Sequence, residues 1–299
     1  MDYLEAREAF FAPRPDARPT LPWQSPARRL RDCLEPLAAV SFWAEPAYDA
    51  YAALGLDFLT GYVWSRSSVL GLAEPAVVAA TFGVFEPAAV VGLLTAAREH
   101  CSLEQIRAAR ELGAVTALRE VLPGGEELKA VTTLLQDAAG RADVVGRPLF
   151  AGALAQPQPQ DPHAALWHTA TVLRECRGDS HLAACVAAGL TGLEANLLTE
   201  LWVGYPPEAY TGTRAWSSEA MADAQTALRS RGLVTDDGLS APGRALREQV
   251  EEQTDLAMAP VVTALGGDLD LVIDHCSRWS TAVIDRGWFP PDPYKRAAG

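Results

Sequence analysis

The stretch ALRSRGLVTDDGLSAPGRALREQVE, residues 227–251, decides the fold of this chain. Its first residues complete an amphipathic helix predicted over 217–231, which Gly232 ends. Asp-Asp-Gly at 236–238 suits a tight turn, because an Asp-Gly pair accepts the positive φ angles of primed β-turns. The sequence therefore predicts a two-stranded hairpin over 233–241, directly after a helix.

The elements predicted around this hairpin are helical. A long helix over 243–258 follows it, and apolar periodicity predicts further helices at 163–176, 180–189, 192–203 and 268–286. Three helices, a two-stranded hairpin and a long helix form the element order of a winged-helix domain. That order says little about activity, because one fold carries many functions.

The first half of the chain also has helical periodicity. Helices are predicted at 1–11, behind Ser25-Pro26, and at 45–54, 75–82, 87–99, 103–112, 114–121 and 125–139, while 58–66 fits either a strand or a helix. Two proline-rich stretches, 12–26 and 151–162, predict irregular or extended chain.

These patterns predict a mainly α, two-domain protein, possibly a tandem winged-helix-like one, with a small β wing near 233–241. The predicted parts are an N-terminal extension 1–26, a helical domain 27–150, a Pro/Gln linker 151–162 and a winged-helix-like domain 163–299.

Composition limits the class of protein. The 299 residues are 49% hydrophobic and 21% charged, which excludes disorder for most of the chain. No basic segment precedes an apolar run at the start, and no uncharged stretch approaches 18 apolar residues, so we expect neither a leader nor a membrane partner. Five scattered cysteines favour reduced thiols and a cytoplasmic location.

Charge argues against nucleic acid as a partner. The chain carries 25 Lys and Arg against 38 Asp and Glu, a formal net charge of −13. Affinity for nucleic acid depends on Lys and Arg that neutralise phosphates. The 217–231 helix, which a winged helix would place in the major groove, carries Glu219 and Asp223 in its first half, and the turn 235–238 at the wing tip is acidic. We therefore expect no binding of nucleic acid.

The densest polar stretch is RECRGDSH at 174–181. Asp179 or Ser180 is predicted to cap a helix that begins there, which would put His181 in its first turn. The positive helix end would then lower the pKa of His181 and keep the imidazole neutral for acid–base work. Arg177 beside it would hold a carboxylate or phosphate. The alternative is structural: a cap, an ion pair and a satisfied histidine.

His181, Asp179 and Arg177 are the predicted catalytic residues. Further candidates for ligand binding are Arg66, Trp167, His168, Glu194, Trp216, Ala38 and Gly83. Glu194 also has the spacing of a capping box with Thr191, which favours a structural role. No complete set of metal ligands or nucleotide-binding motif is present, so we predict neither a metal nor a cofactor.

Residues 217–256 resemble the wing region of MarR-type winged-helix proteins. The chain from about 28 to 290 resembles an actinobacterial helix-turn-helix, or SalTA-like, family through LEPLAAV (34–40), EPAYDAYAALGL (45–56), SRSSVLG (65–71), ATF (80–82), FEP (85–87), GRPLFAG (146–152) and ALWHTATVLRECRGDSHLAACVAAGLTGLEA (165–195).

The resemblance implies a fold more than a reaction. In that family a histidine is expected at the position of Ala38, and a tyrosine and a polar residue at Gly83 and Val84. If these positions line a pocket, the pocket of this chain is larger and less polar, and chemistry that uses the histidine is in doubt.

Together these features predict a protein that acts on a small organic molecule, bound between the halves near His181. The first hypothesis is a specialised-metabolite enzyme that uses His/Asp acid–base chemistry. The alternatives are a drug-sequestering resistance protein and a ligand-responsive MarR-like regulator. A homodimer is a further possibility.

Overall fold

The computed structural model describes residues 2–11, 23–205 and 208–292. Its α-helices are α1 Tyr3–Phe11, α2 Pro26–Trp43, α3 Glu45–Ala52, α4 Phe58–Ser67, α5 Pro75–Thr81, α6 Pro87–His100, α7 Leu103–Val121, α8 Glu126–Ala139, α9 Pro148–Leu154, α10 Pro162–Ala187, α11 Gly192–Val203, α12 Ser218–Ser230, α13 Ala241–Leu265 and α14 Leu269–Asp285. Short 3₁₀ turns lie at Ser68–Leu70, Thr211–Arg214 and Gly266–Asp268.

The predicted wing is present. Strand β1 (Val234–Thr235) pairs antiparallel with β2 (Gly238–Leu239). Gly238 has a φ of 110°, as the tight turn requires. The prediction of a mainly α protein with a small β wing is confirmed.

Two predicted helix breaks are absent. The helices predicted at 103–112 and 114–121 are one helix, α7, because Gly113 serves close packing: a Cβ there would lie 2.2 Å from the Cα of Ala47. The helices predicted at 163–176 and 180–189 are likewise one helix, α10. Gly-Asp-Ser at 178–180 favours a break locally, but burial of this helix overrides that preference.

The helix α10 is the central element of the molecule. It packs against α2, α7, α8, α9 and α13. One continuous buried cluster joins side chains from both ends of the chain, from Tyr3 through Leu37 and Leu173 to Val283. Side chains on both sides of the predicted 151–162 linker therefore share a core, and the division into two domains stays a prediction.

The second proline-rich stretch is partly helical. Residues 151–154 are the end of α9 and not linker, and the helix places Ala153 in the core. Residues 12–22 of the first stretch lie outside the described residues. The helix predicted at 1–11 is α1, and the Tyr3 hydroxyl donates to the Trp43 carbonyl over 2.7 Å.

The winged-helix part has its own small core. Leu198, Leu228 and Val250 pack together from α11, α12 and α13. Gly243 allows β1 to meet α13, since a Cβ there would lie 2.0 Å from the Leu233 carbonyl oxygen.

One helical stretch, Ala241–Asp285, is long and apolar enough by composition to cross a membrane, with a window of mean hydropathy 1.6. The core helix of a globular protein meets the same two criteria. Met258, Val261 and Leu265 of this stretch are buried in the main core.

Candidate functional site

A large cavity opens between α2, α4, α10, α11 and α13. Its volume, counted out to the mouth with the solvent there, is about 1650 Å³. Its wall combines arginines with aromatic rings: Arg28, Arg31, Arg66, Arg174, Arg177, Arg214 and Arg247, with Phe10, Phe42, Trp43, Phe58, Tyr62, Phe82, Phe85, Tyr210 and Phe289. Among the residues that the structure describes, the acidic side chains of this wall are Glu35 and Glu251.

Glu251 of α13 binds three of these arginines. Its carboxylate lies 2.7 Å from Nη2 of Arg177, 2.7 Å from Nη2 of Arg247 and 3.6 Å from Nη1 of Arg28. Burial alone would raise the pKa of Glu251, but the three guanidinium groups hold it well below its ordinary value. The carboxylate therefore stays charged and joins α2, α10 and α13 at the cavity wall.

Glu175 and Glu35 organise a second group of arginines. Arg66 makes a bidentate pair with Glu175, over 3.0 and 2.8 Å, and Arg174 bridges Glu175 and Glu35 over 2.9 and 3.0 Å. Burial would raise the pKa of Glu175, yet Arg66 and Arg174 lower it to about 2. These charge-assisted pairs hold the guanidinium planes along the wall.

Aromatic rings cover the side of the cavity next to α4. The Tyr62 ring lies 5.6 Å from Phe85, 6.0 Å from Phe82 and 5.0 Å from Phe42, measured between centroids. Its hydroxyl lies 3.4 Å from Nη1 of Arg66. A planar apolar group would find stacking partners here, with cations close by.

The segment after α11 carries Arg214 to the cavity. Its guanidinium carbon lies 4.1 Å from the Tyr210 ring centroid and 4.9 Å from that of Phe85. The segment is anchored by Glu200, which accepts from the Thr211 amide over 2.7 Å and from its hydroxyl over 2.5 Å.

His181 lines the cavity, in the middle of α10. The Thr254 hydroxyl donates to the Val250 carbonyl, so at 3.2 Å it accepts from Nδ1–H of His181. That bond assigns the tautomer, and it leaves Nε2 as an unprotonated acceptor. Burial, and then the nearby Arg247, lowers the pKa of His181 to about 3. The imidazole is neutral, as expected, but the cause is not the predicted helix end, because α10 runs through this position.

Asp179 does not orient His181. Its carboxylate accepts from the Phe150 amide over 3.0 Å, so it caps α9 rather than a helix of its own. Burial raises its pKa to about 6, against the opposing hydrogen bond from Phe150. Asp179 does not contribute to the cavity wall. Of the three predicted catalytic residues, the cavity brings together Arg177 and His181.

Arg66 is the one residue of the wider candidate set that lines the cavity. Trp167 and His168 lie outside the wall, buried against α7, where Arg110 lies 5.2 Å from the Trp167 ring centroid. Burial lowers the pKa of His168 to about 4. Their role in the described structure is packing around a buried arginine.

Glu194 and Trp216 hold other parts of the fold together. Glu194 completes the capping box of α11 with Thr191 and pairs with Arg231 over 3.2 Å. The Trp216 indole donates to the Val84 carbonyl over 2.9 Å. Neither side chain lines the cavity.

Ala38 and Gly83 do not line the cavity either. Ala38 is buried in the main core, so a histidine at this position would not face the cavity. A Cβ on Gly83 would lie 2.2 Å from a methyl group of Leu182, and the backbone has a φ of 33°. Val84 does line the cavity.

Sequence reasoning missed Arg214, Tyr62, Tyr210 and Glu251 as parts of this wall. Tyr62, Tyr210 and Arg214 belong to no motif. Glu251 ends the stretch that predicts the wing, but its place beside three arginines depends on how α2 and α10 pack against α13. The available signal was weak: an arginine inside an otherwise aromatic and small-residue segment, at 210–216.

The face of α12 and the wing that a DNA-binding winged helix would place against DNA carries exposed acids. Glu219 and Asp223 are exposed on α12. Arg229 lies 3.8 Å from Asp236 at the fully exposed wing tip. Gln225 of the same helix donates to Glu208 over 2.9 Å.

The described residues contain no group of three or more His, Cys, Asp or Glu placed to hold a metal ion.

A family model described as a helix-turn-helix family matches residues 27–290. The chain belongs to this helix-turn-helix family. No curated protein and no solved structure gives a significant match. The family assignment therefore agrees with the wing and the helices around it, and the chemistry has to be argued from the cavity.

Proposed function

We propose that this helix-turn-helix family member binds a small organic anion with a planar apolar part. The observation that carries the proposal is the cavity wall: its described residues include seven arginines, in a chain of net charge −13. Guanidinium groups recognise carboxylate and phosphate oxygens, and aromatic walls bind flat apolar groups. The exposed face of α12 and the wing tip carry acids, whereas these arginines line a cavity, which fits a small anionic ligand better than nucleic acid.

Under this proposal the winged-helix part is scaffold and not a DNA reader. Its α13 supplies Arg247 and Glu251 to the wall, while the exposed face of α12 and the wing tip carry acids. The finer resemblance of 217–256 to MarR-type proteins, and of about 28–290 to SalTA-like proteins, implies the winged-helix fold and assigns no reaction. A ligand-responsive MarR-like regulator is the alternative that the DNA-binding test below addresses.

The test compares matched ligands by calorimetry and thermal shift. We expect 2-naphthoate to bind and raise the melting temperature, and the amine 2-naphthylmethylamine to do neither. Equal binding of the amine, or no binding of any member of the set, contradicts the proposal. In parallel, retention on heparin or a shift of duplex DNA from upstream of the gene at about 0.15 M salt would contradict the scaffold role.

Catalysis on the bound molecule is the second candidate, favoured by the free Nε2 of His181 in the wall. With a pKa of about 3, this imidazole is a weak base and a good hydrogen-bond acceptor. For an enzyme, His181→Ala removes turnover and keeps ligand affinity within a few-fold, whereas a pure binder has no turnover to lose. Product formation on candidate substrates, followed by mass spectrometry, separates the two.

A further inference from the structure

One buried arginine of the cavity wall has no carboxylate partner among the described residues. The other six arginines each lie within ion-pair distance of a carboxylate. Arg214 is only 8% exposed, and no carboxylate of the described residues forms an ion pair with it. A guanidinium group keeps its charge at any physiological pH, and a buried charge without a counter-charge is strongly unfavourable.

The neighbours of Arg214 are neutral. Its Nη2 donates to the Tyr210 hydroxyl and its Nη1 donates to the Thr213 hydroxyl over 2.9 Å. Its Nε is buried and has no acceptor among the described residues. The rings of Phe10 and Phe85, whose centroids lie 5.1 and 4.9 Å from the guanidinium carbon, add cation–π attraction. The rings compensate in part for the buried charge. The planar guanidinium group, with an N–H that has no acceptor among the described residues, still has the shape to bind an oxyanion.

The position of Arg214 is fixed before any ligand binds. Glu200 anchors the preceding turn through Thr211, and the Glu86 amide donates to the Arg214 carbonyl over 3.0 Å. A charged group held in place by the surrounding fold binds with a smaller ordering cost than a mobile one.

We propose that Arg214 forms the anion-binding site for the charged group of the ligand, and that the ligand is an aryl carboxylate. This inference rests on the proposed function and adds which arginine binds the anion. Phe85 belongs both to the rings around Arg214 and to the tilted and edge-on rings around Tyr62. A carboxylate on Arg214 therefore places an attached aromatic ring against the Tyr62 wall.

The experiment measures the affinity of 2-naphthoate and of its neutral analogue 2-naphthalenemethanol by calorimetry at pH 7. In Arg214→Met we expect naphthoate to bind about tenfold more weakly or worse, as loss of a charge-assisted hydrogen bond implies, with the alcohol changed by less than about threefold. The matched control is Arg98→Met. Arg98 also lies over a ring, at 4.8 Å from Trp64, and donates to the Ala73 carbonyl, but it is outside the cavity.

The outcomes separate the two proposals. If the wild-type protein binds naphthoate and Arg214→Met binds it equally well, the proposed anion-binding site is wrong and the proposed function stands. If the wild-type protein binds neither compound, both fail. If Arg214→Met does not fold, wild-type crystals soaked in sodium iodide replace it. An anomalous peak beside the Arg214 guanidinium supports the anion-binding site. Iodide elsewhere in the cavity but not beside Arg214 overturns it.

Discussion

Asp179 shows how a polar residue in a promising motif can serve the fold alone. Its carboxylate accepts from the Phe150 amide at the start of α9, 29 residues away in the chain. A short helix with no cap from its own sequence gains an acceptor in this way. The sequence predicted that Asp179 or Ser180 caps a helix that begins there, but α10 runs unbroken through both residues. Asp179 caps the distant helix α9, and the Ser180 hydroxyl donates to the Cys176 carbonyl within α10.

We predict that Asp179→Asn keeps ligand affinity and stability at pH 7, because the amide oxygen still accepts from Phe150 and no buried charge remains. Asp179→Ala should lower the free energy of unfolding by about 1–3 kcal/mol, since it leaves that buried amide without an acceptor. Urea unfolding measures both. A loss of turnover in Asp179→Asn with unchanged stability would instead support the catalytic role that the sequence motif suggested.

At the scale of elements, the contact between α11 and the turn 82–86 joins the winged-helix part to the first half of the chain. Gly192 begins α11, and a Cβ on it would lie 1.6 Å from the Gly83 carbonyl oxygen. The next contacts along the same seam are the Trp216 bond to Val84 and the Glu86 bond to Arg214. This seam therefore sets the position of the Arg214 segment at the cavity.

We predict that Gly192→Ala destabilises the protein by about 1–3 kcal/mol, the usual cost of forcing extra volume into a packed contact. The control is Gly92→Ala in α6, where a Cβ would meet nothing within 4 Å. That change should stabilise by about 0.5–1 kcal/mol, because alanine loses less chain entropy in a helix. Thermal unfolding compares the two, and equal behaviour would argue against the tight seam.

The length of α10 is another property decided between elements. The local preference of residues 178–180 favours two helices. The structure has one continuous helix, because five other helices pack against α10 and bury its residues. Tertiary burial outweighs the few tenths of a kcal/mol per residue that intrinsic helix preference supplies. As a result His181 lies in the middle of a helix, and the helix-end account of its neutrality is wrong.

At the scale of the whole molecule, the buried histidines and the buried Asp179 are expected to change the stability of the fold in opposite directions as the pH falls. His181 and His168 have lowered pKa values, so the unfolded chain takes up protons below about pH 6.5 that the folded protein does not, and stability falls as pH falls. Asp179 has a raised pKa of about 6, so below that pH the folded protein takes up a proton first, and stability rises as pH falls toward the unfolded value.

We predict opposite changes in the pH profile between about pH 6 and 4. Asp179→Asn should steepen the loss of unfolding free energy on acidification, and His181→Asn should flatten it, each by up to about 1.4 kcal/mol per pH unit. Denaturant unfolding at several pH values measures the slopes. Parallel slopes in the wild-type protein and both variants would contradict the assigned pKa directions.

The sequence by itself determined the helical periodicity, the turn that makes the wing and the acidic surface, because each depends on residues close together in the chain or on composition. Only the tertiary structure decided the cavity. Its cations and rings come from α1, α2, α4, α10 and α13, from the turn 82–86, and from the segments before α12 and after α14. A local pattern cannot show which distant arginines meet a carboxylate, or that Arg214 meets none among the described residues, because that depends on how the helices pack.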